Sequence, residues 1–254
     1  MNYTDINAET WNRWAEDGSP WTQPISHEEY LQVNKDNFIV YLTPCVAVPH
    51  EWFGGLRGKK LLGLASGGGQ QMPVFAKLGA ECTLLDYSDR QLDSDRMVAD
   101  REGYPIEIVK ADMTKRLPFE DASFDIIFHP VSNCYIEDVQ HVWNECYRIL
   151  KPDGVLLAGM DNGMNFLFAS DEEPLVVVNR LPYNPLKLPG EAFERISAED
   201  GVQFSHTLEE QIGGQLKAGF ILRALYEDRD REGCGVIREY APQYYATMAV
   251  KPLG

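Results

Sequence analysis

Basic side chains are in short supply: 23 Lys and Arg stand against 39 Asp and Glu, a formal net charge of −16 over 254 residues. Binding a phosphate backbone draws on clustered Lys and Arg that displace counterions, so nucleic acid is a poor partner for this chain. Cysteine is sparse as well. Cys45, Cys82, Cys134, Cys146 and Cys234 are odd in number, widely spaced and never in a C-x-x-C pair. That pattern points to neither a disulfide framework nor a zinc site, and it suits a reducing cytoplasm. The five histidines show no metal-ligand spacing, so no metal is expected. No apolar run reaches membrane-spanning length, internal repeats are lacking, and the opening MNYTDINAET has neither the basic nor the apolar region of a secretory leader. The expectation is a cytoplasmic protein with no membrane or nucleic-acid partner, its oligomeric state open.

What is present is a regular α/β rhythm. From residue 59 the chain reads "KKLLGLA" strand, "QQMPVFAKLG" helix, "ECTLLD" strand, "DRQLDSDRMVADREG" helix and "PIEIVKAD" strand, a βαβαβ pattern. "SFDIIFHP" continues as a strand, "VQHVWNECYRILKPDG" as a helix closed by Pro and Gly, and "VLLAGM" as a fifth strand. These strands run apolar without alternation, as strands covered on both faces do. "ILRALYE" and "YYATMAV", joined by the charged turn "DRDREG", imply a final antiparallel hairpin. The fold class is therefore a doubly wound, Rossmann-like, mostly parallel seven-stranded sheet. Ahead of it, "ISHEEYLQVNKDNFIVYL" has helical apolar spacing, with Ser26 and Glu29 placed as a capping box. The Pro-rich stretch 161–205 is too long for an ordinary connection and reads as a lid. "SHTLEEQIGGQLKAGF" reads as a helix, and "DRDREG" as a solvated turn without function.

The stretch "LLGLASGGGQ" stops a buried strand at a cluster of small residues. Glycine costs conformational entropy on folding, so such a cluster implies close approach by a ligand or another backbone segment. Ligands of open parallel sheets bind beyond the strand C-termini at the topological switch point, where this loop should lie. A dinucleotide fingerprint G-x-G-x-x-G starting at Gly67 meets Gly69 and then fails at Met72. Without a phosphate to hold, the loop can admit an uncharged nucleoside.

Several motifs in order resemble the class I S-adenosylmethionine-dependent methyltransferases over roughly residues 56–160. "LLGLASGGGQ" stands at the family's glycine-rich motif, "LLDYS" at its second strand end, "KADM" at the adenine segment, and "LPFEDASFDIIFHP" and "ECYRILKPDGVLLAG" at its fourth and fifth strands. "GGGQQMPVFAKLGA" and "HPVSN" are closer still to a bacterial subgroup for which the resemblance supplies no substrate. The resemblance implies S-adenosyl-L-methionine as cofactor and a small-molecule methyl acceptor. It implies that Ala65, Ser66, Gly67, Gly69, Gln70 and Gln71 form the cofactor loop and that Asp86 takes both ribose hydroxyls. Tyr87 would lie along the adenine, Asp112 accept from its amino group, and Met113 donate a backbone N–H to the ring. An Asp after a strand also caps the following helix, and Ser88 and Asp89 are rival caps.

The family's acidic residue two positions before the first glycine is here Gly63, and the first glycine itself is Ala65. Gln70, Gln71, carbonyls near Ala65 and His129, or the N-terminal segment are the candidates to hold the methionine end. His129, closing the fourth strand, is a candidate base or cofactor contact, and Asn133 a candidate acceptor-orienting group. Residues 1–55 are expected to form an aromatic, helical cap and 56–254 the methyltransferase domain. An S-adenosylmethionine-binding regulatory protein without transfer activity is the alternative.

Overall fold

A computed structural model of the chain describes residues 2–253. Seven strands form one sheet in the order β3-β2-β1-β4-β5-β7-β6. They are β1 Lys60–Leu64, β2 Glu81–Asp86, β3 Glu107–Lys110, β4 Phe124–His129, β5 Leu150–Asp161, β6 Ile221–Asp228 and β7 Tyr244–Val250. Strands β1 to β5 pair in parallel, while β7 runs antiparallel between β5 and β6. The order reverses between β1 and β4, so the crevice expected from the sequence opens beyond their C-terminal ends.

Among the described residues eight α-helices surround the sheet: α1 Tyr3–Glu16, α2 His27–Gln32, α3 Met72–Lys77, α4 Asp89–Glu102, α5 Val139–Ile149, α6 Gly190–Asp200, α7 Gly214–Ala218 and α8 Ile237–Tyr240. One sheet face packs on α5, whose Val142, Trp143, Cys146 and Ile149 are fully buried. The other face packs on Phe75 of α3, Leu92 of α4, and Phe38, Val40, Leu42, Trp52 and Phe53 of the N-terminal segment. Both faces of β1 and β4 are thereby dry, which accounts for their unbroken apolar character.

Two sequence expectations need correction. The helix expected across residues 25–42 has its Ser26–Glu29 capping box but ends at Gln32. Asn34 then takes over the backbone, its Oδ1 accepting from the Asp36 N–H at 3.0 Å, a local competitor to helix. The helix expected over 205–220 is divided into a π-helical turn at Glu209–Gly213 and α7. A Cβ on Gly214 would sit 2.6 Å from Trp143 Cδ1, so α7 packs this closely on α5 only because that residue is glycine. Among the described residues no helix is long and apolar enough to cross a membrane.

Candidate functional site

A cavity of about 1300 Å³ lies beyond the C-terminal strand ends. Ordinary ligand pockets hold about 300–1,000 Å³, so this one has room for more than one small molecule. Its floor is built from the residues that follow the parallel strands: Ala65 to Gly67 after β1, Asp86 to Ser88 at and after β2, Ala111 to Thr114 after β3, Pro130 to Ser132 after β4, and Asp161 ending β5. Its walls come from α1 (Thr4, Asn7, Ala8, Trp11), the segment 20–44 and residues 165–203.

The loop after β1 is held by two carboxylates. Asp86 Oδ2 accepts from the Gly67 N–H at 3.1 Å, while Oδ1 accepts from the N–H groups of Tyr87 at 2.7 Å and Ser88 at 3.0 Å. A carboxylate offers about four acceptor positions, so one remains open on Oδ2. A Cβ on Gly67 would stand 2.9 Å from that oxygen and 2.8 Å from Gln91 Cβ, which is why glycine is required there. Burial raises the Asp86 pKa against the three N–H bonds that favour its charged form. The rival cap reading is met separately, because Ser88 Oγ caps α4 by accepting from Gln91 N–H at 3.2 Å.

The second carboxylate is Asp95, a residue that sequence reasoning did not single out. It is fully buried, and its Oδ2 accepts from the N–H groups of Gly68 at 2.8 Å and Gly69 at 2.9 Å. Gly69 itself faces away from the cavity. Its φ is +69°, and a Cβ would meet Val98 Cγ2 at 2.9 Å and Pro24 Cβ at 3.1 Å, so its identity serves packing against α4.

Desolvation pushes the Asp95 pKa from 3.8 up to about 7, with the two glycine N–H groups opposing. The folded value lies above the unfolded one, so the stability this group contributes is complete below pH 3.8 and is lost as pH rises to about 7. The slope from this one group is at most about 1.4 kcal/mol per pH unit. Asp95→Asn keeps an acceptor for both N–H groups without a buried charge. Chemical denaturation between pH 4 and 8 should therefore show a smaller decline for this variant than for the wild type.

Asp112 and Met113 stand together at the cavity wall. Asp112 Oδ1 accepts from Thr114 N–H at 2.9 Å, and among the described residues the Met113 N–H has no partner. Tyr87 also lines the cavity, but its hydroxyl donates to Asp5 of α1 at 2.9 Å, so part of its role is to hold α1 down. Asn12 adds to this seam, accepting from Ser88 Oγ at 2.8 Å. Ser66 Oγ, in the cavity wall, is buried without any protein partner. Gln70 donates to the Trp21 carbonyl at 2.8 Å, and Gln71 Oε1 accepts from Tyr41 N–H at 3.2 Å. Both glutamines thus tie the segment 20–44 to the loop while still lining the cavity.

His129 and Asn133 do not reach the cavity, which corrects the expectation that they work on an acceptor. Both are fully buried. His129 Nδ1 is 2.9 Å from the Leu64 carbonyl, and Nε2 is 2.8 Å from the Asn133 amide, which in turn lies 2.8 Å from the Gln211 amide. Burial lowers the His129 pKa, and a neutral ring donates once. With Nδ1–H given to Leu64, Nε2 must accept, so Asn133 donates to it and Gln211 in turn donates to Asn133. That orientation gives the Gln211 nitrogen a partner and leaves the amide oxygen in the partnerless position instead. The network pins β1, β4 and the π-helical turn to one another.

The comparisons with known proteins agree on the family. A family model described as "Methyltransferase domain" matches residues 62–158. The chain is 42% identical over 250 residues to a protein of Bacillus subtilis (strain 168) named "Uncharacterized methyltransferase YbaJ", covering 96% of this chain and 97% of that one. The chain belongs to the methyltransferases. Solved structures sharing the fold include an S-adenosylmethionine-dependent methyltransferase from Mesorhizobium loti, with 18% identity, TM-score 0.59, and 77% of this chain and 92% of that one covered. A second, from Listeria monocytogenes and termed putative, has 17% identity, TM-score 0.60, and coverage of 80% and 97%.

The cavity suits S-adenosylmethionine, the cofactor that the sequence resemblance implies. The unpartnered Ser66 Oγ, the open Asp86 position and the free Met113 N–H are polar groups awaiting a ligand on the cofactor side. The family's missing acid has a packing cause. A Cβ on Gly63 would overlap the Met72 sulfur, so α3 sits against β1 where a carboxylate would otherwise stand. Ala65, at the family's first glycine, has φ +49°, a left-handed conformation costing roughly 1–2 kcal/mol outside glycine.

Three further residues of the cavity escaped sequence reasoning. Asp161 ends β5, and its Oδ2 is buried without a partner. Asp230 and Arg231, inside the "DRDREG" turn that seemed functionless, also line the cavity, with the Arg231 guanidinium 4.2 Å from the Trp21 ring centre. The connection that carries this turn from β6 to β7 also includes α8.

Proposed function

We propose that this methyltransferase acts on a small or medium-sized molecule enclosed between α1, the segment 20–44 and the lid 161–205, with residues 56–254 as the catalytic domain. The observation that carries this reading is the single cavity that runs from Asp86 to Asp161 beneath all three coverings. When bound, S-adenosylmethionine would supply a methyl group already activated on a sulfonium, open to in-line attack by an acceptor lone pair with the thioether as leaving group.

The chain's own residues then have positioning roles. Asp86 Oδ2 accepts from the ribose in a charge-assisted bond, and the Gly67 backbone allows the sugar to approach. Asp112 and the Met113 N–H read the adenine edge. Ser66, Gln70, Gln71 and the carbonyl of Ala65 surround the methionine end. Trp11, Tyr135 and Tyr183, all in the cavity wall, exclude water and hold the acceptor near the methyl group, which is the main source of rate in such a displacement.

The test is transfer of label from methyl-labelled S-adenosylmethionine in a cell extract fractionated by mass. The expected result is protein-dependent label in the low-mass fraction. Tight binding of S-adenosylhomocysteine with no label transferred anywhere would instead make the protein a binder, and label confined to macromolecules would overturn the acceptor class.

A further inference from the structure

The strand order gives the cavity a polarity. Asp86 and Asp112 stand at the ends of β2 and just beyond β3, on one side of the switch point, whereas Asp161 ends β5 on the other. If the nucleoside occupies the first side, as the proposed function holds and as this inference assumes, Asp161 belongs to the half left for the acceptor.

Asp161 is 3% exposed and lines the cavity. Its Oδ1 accepts from the Gly163 N–H at 2.9 Å, while Oδ2 has no partner. Among the described residues it takes part in no ion pair. Cys134, Tyr135 and Tyr245 are titratable groups within reach of its charge, each pushed up by burial and by the Asp161 charge. All three are neutral near pH 7. Other charged groups lining the cavity include Asp200, Asp230 and Arg231, and the arginine is stacked on Trp21. A buried carboxylate without a cation or a full set of donors is expensive to maintain, so an arrangement like this is completed by a ligand that brings both.

We propose that Asp161 binds and deprotonates the acceptor, and that the acceptor is an amine flanked by an aromatic or apolar body. The ammonium N–H donates to Oδ2, and its proton passes to that oxygen, leaving a neutral amine and a carboxylic acid. The nitrogen lone pair then forms the N–C bond to the methyl carbon as the C–S bond breaks, with that electron pair remaining on sulfur. The products are a methylated ammonium and the neutral thioether, and the proton on Asp161 leaves to solvent. Desolvation favours the first step from both sides, since it raises a carboxyl pKa and lowers an ammonium pKa. Asp161 is already pushed up to about 6. An anionic acceptor would meet the Asp161 carboxylate and is disfavoured by the same charge.

The experiment uses the whole protein saturated with S-adenosylhomocysteine. Benzylamine, phenethylamine and tryptamine are titrated by calorimetry, alongside the alcohol and carboxylic acid matched to each. At least one amine should bind ten-fold or more tightly than its alcohol, and the acids should not bind. Amine affinity should fall as pH drops below about 6, where Asp161 gains its proton. Asp161→Asn should abolish the amine preference and its acid limb while leaving S-adenosylhomocysteine affinity within about two-fold, which also verifies folding. Asp161→Glu, which retains the charge, should keep the preference. Amines bound no better than alcohols, binding by none of the compounds, or a preference that survives in Asp161→Asn would overturn the inference. Failure of S-adenosylhomocysteine itself to bind the wild type would instead strike the proposed function.

Discussion

Asp86→Ala should weaken S-adenosylhomocysteine binding by about 1.5–3 kcal/mol, roughly 10- to 150-fold in Kd, the range for losing a hydrogen bond to a charged group. The sequence alone suggested a carboxylate free to take both ribose hydroxyls. The geometry is more demanding, because three backbone N–H groups already occupy it. The substitution therefore removes the ribose contact and also releases Gly67, Tyr87 and Ser88 from the acceptor that shapes them. Asp86→Asn keeps one acceptor but sets an amide N–H against backbone donors, so its affinity should be reduced as well. Isothermal titration measures both, and an unchanged Kd in Asp86→Ala would reject the ribose assignment.

Gly159→Ala should produce the largest loss of stability. Gly159 lies two residues before the end of β5, and the N-terminal segment crosses it there. A Cβ would be driven into the Leu42 carbonyl, standing 2.7 Å from its carbon and 3.1 Å from the Val131 nitrogen. These are backbone atoms and cannot rotate aside. The Val131 N–H donates to that same Leu42 carbonyl at 3.1 Å, so relief of the clash breaks the bond joining the segment to the loop after β4. Overpacking of this kind costs about 3 kcal/mol or more, which for a chain of this size lowers Tm by roughly 6–12 °C. Thermal unfolding checks it against Gly190→Ala, a site with nothing within 4 Å, where Tm should stay close to wild type. Since Leu42 and Thr43 wall the cavity, the Gly159 variant should also bind S-adenosylhomocysteine less well.

Much of the fold was legible because local signals and tertiary burial agree. The apolar runs from "KKLLGLA" to "VLLAGM" all became strands, and the acid ending "ECTLLD" faces the cavity as its position implied. The misreadings share a cause: the deciding partner is distant in sequence. His129 looked available at a strand end, yet it is enclosed by a network reaching Gln211, 78 residues beyond Asn133. Asp95 sat among charged helical neighbours, and only the approach of Gly68 and Gly69, 27 and 26 residues earlier, gives it a role. Asp161 carried a usable signal. A lone carboxylate ending the apolar run "VLLAGMD" repeats the pattern of "LLD" at β2, but it was absorbed into the lid.

The account rests on an adenosyl group seated between the loop after β1 and the end of β2. A crystal structure with S-adenosylhomocysteine bound tests this most directly. It should show a ribose hydroxyl within about 2.5–3.0 Å of Asp86 Oδ2, adenine against Asp112 and Met113, and open space between the sulfur and Asp161. A ligand bound elsewhere, or a ribose that leaves Asp86 touching only backbone N–H groups, would contradict it.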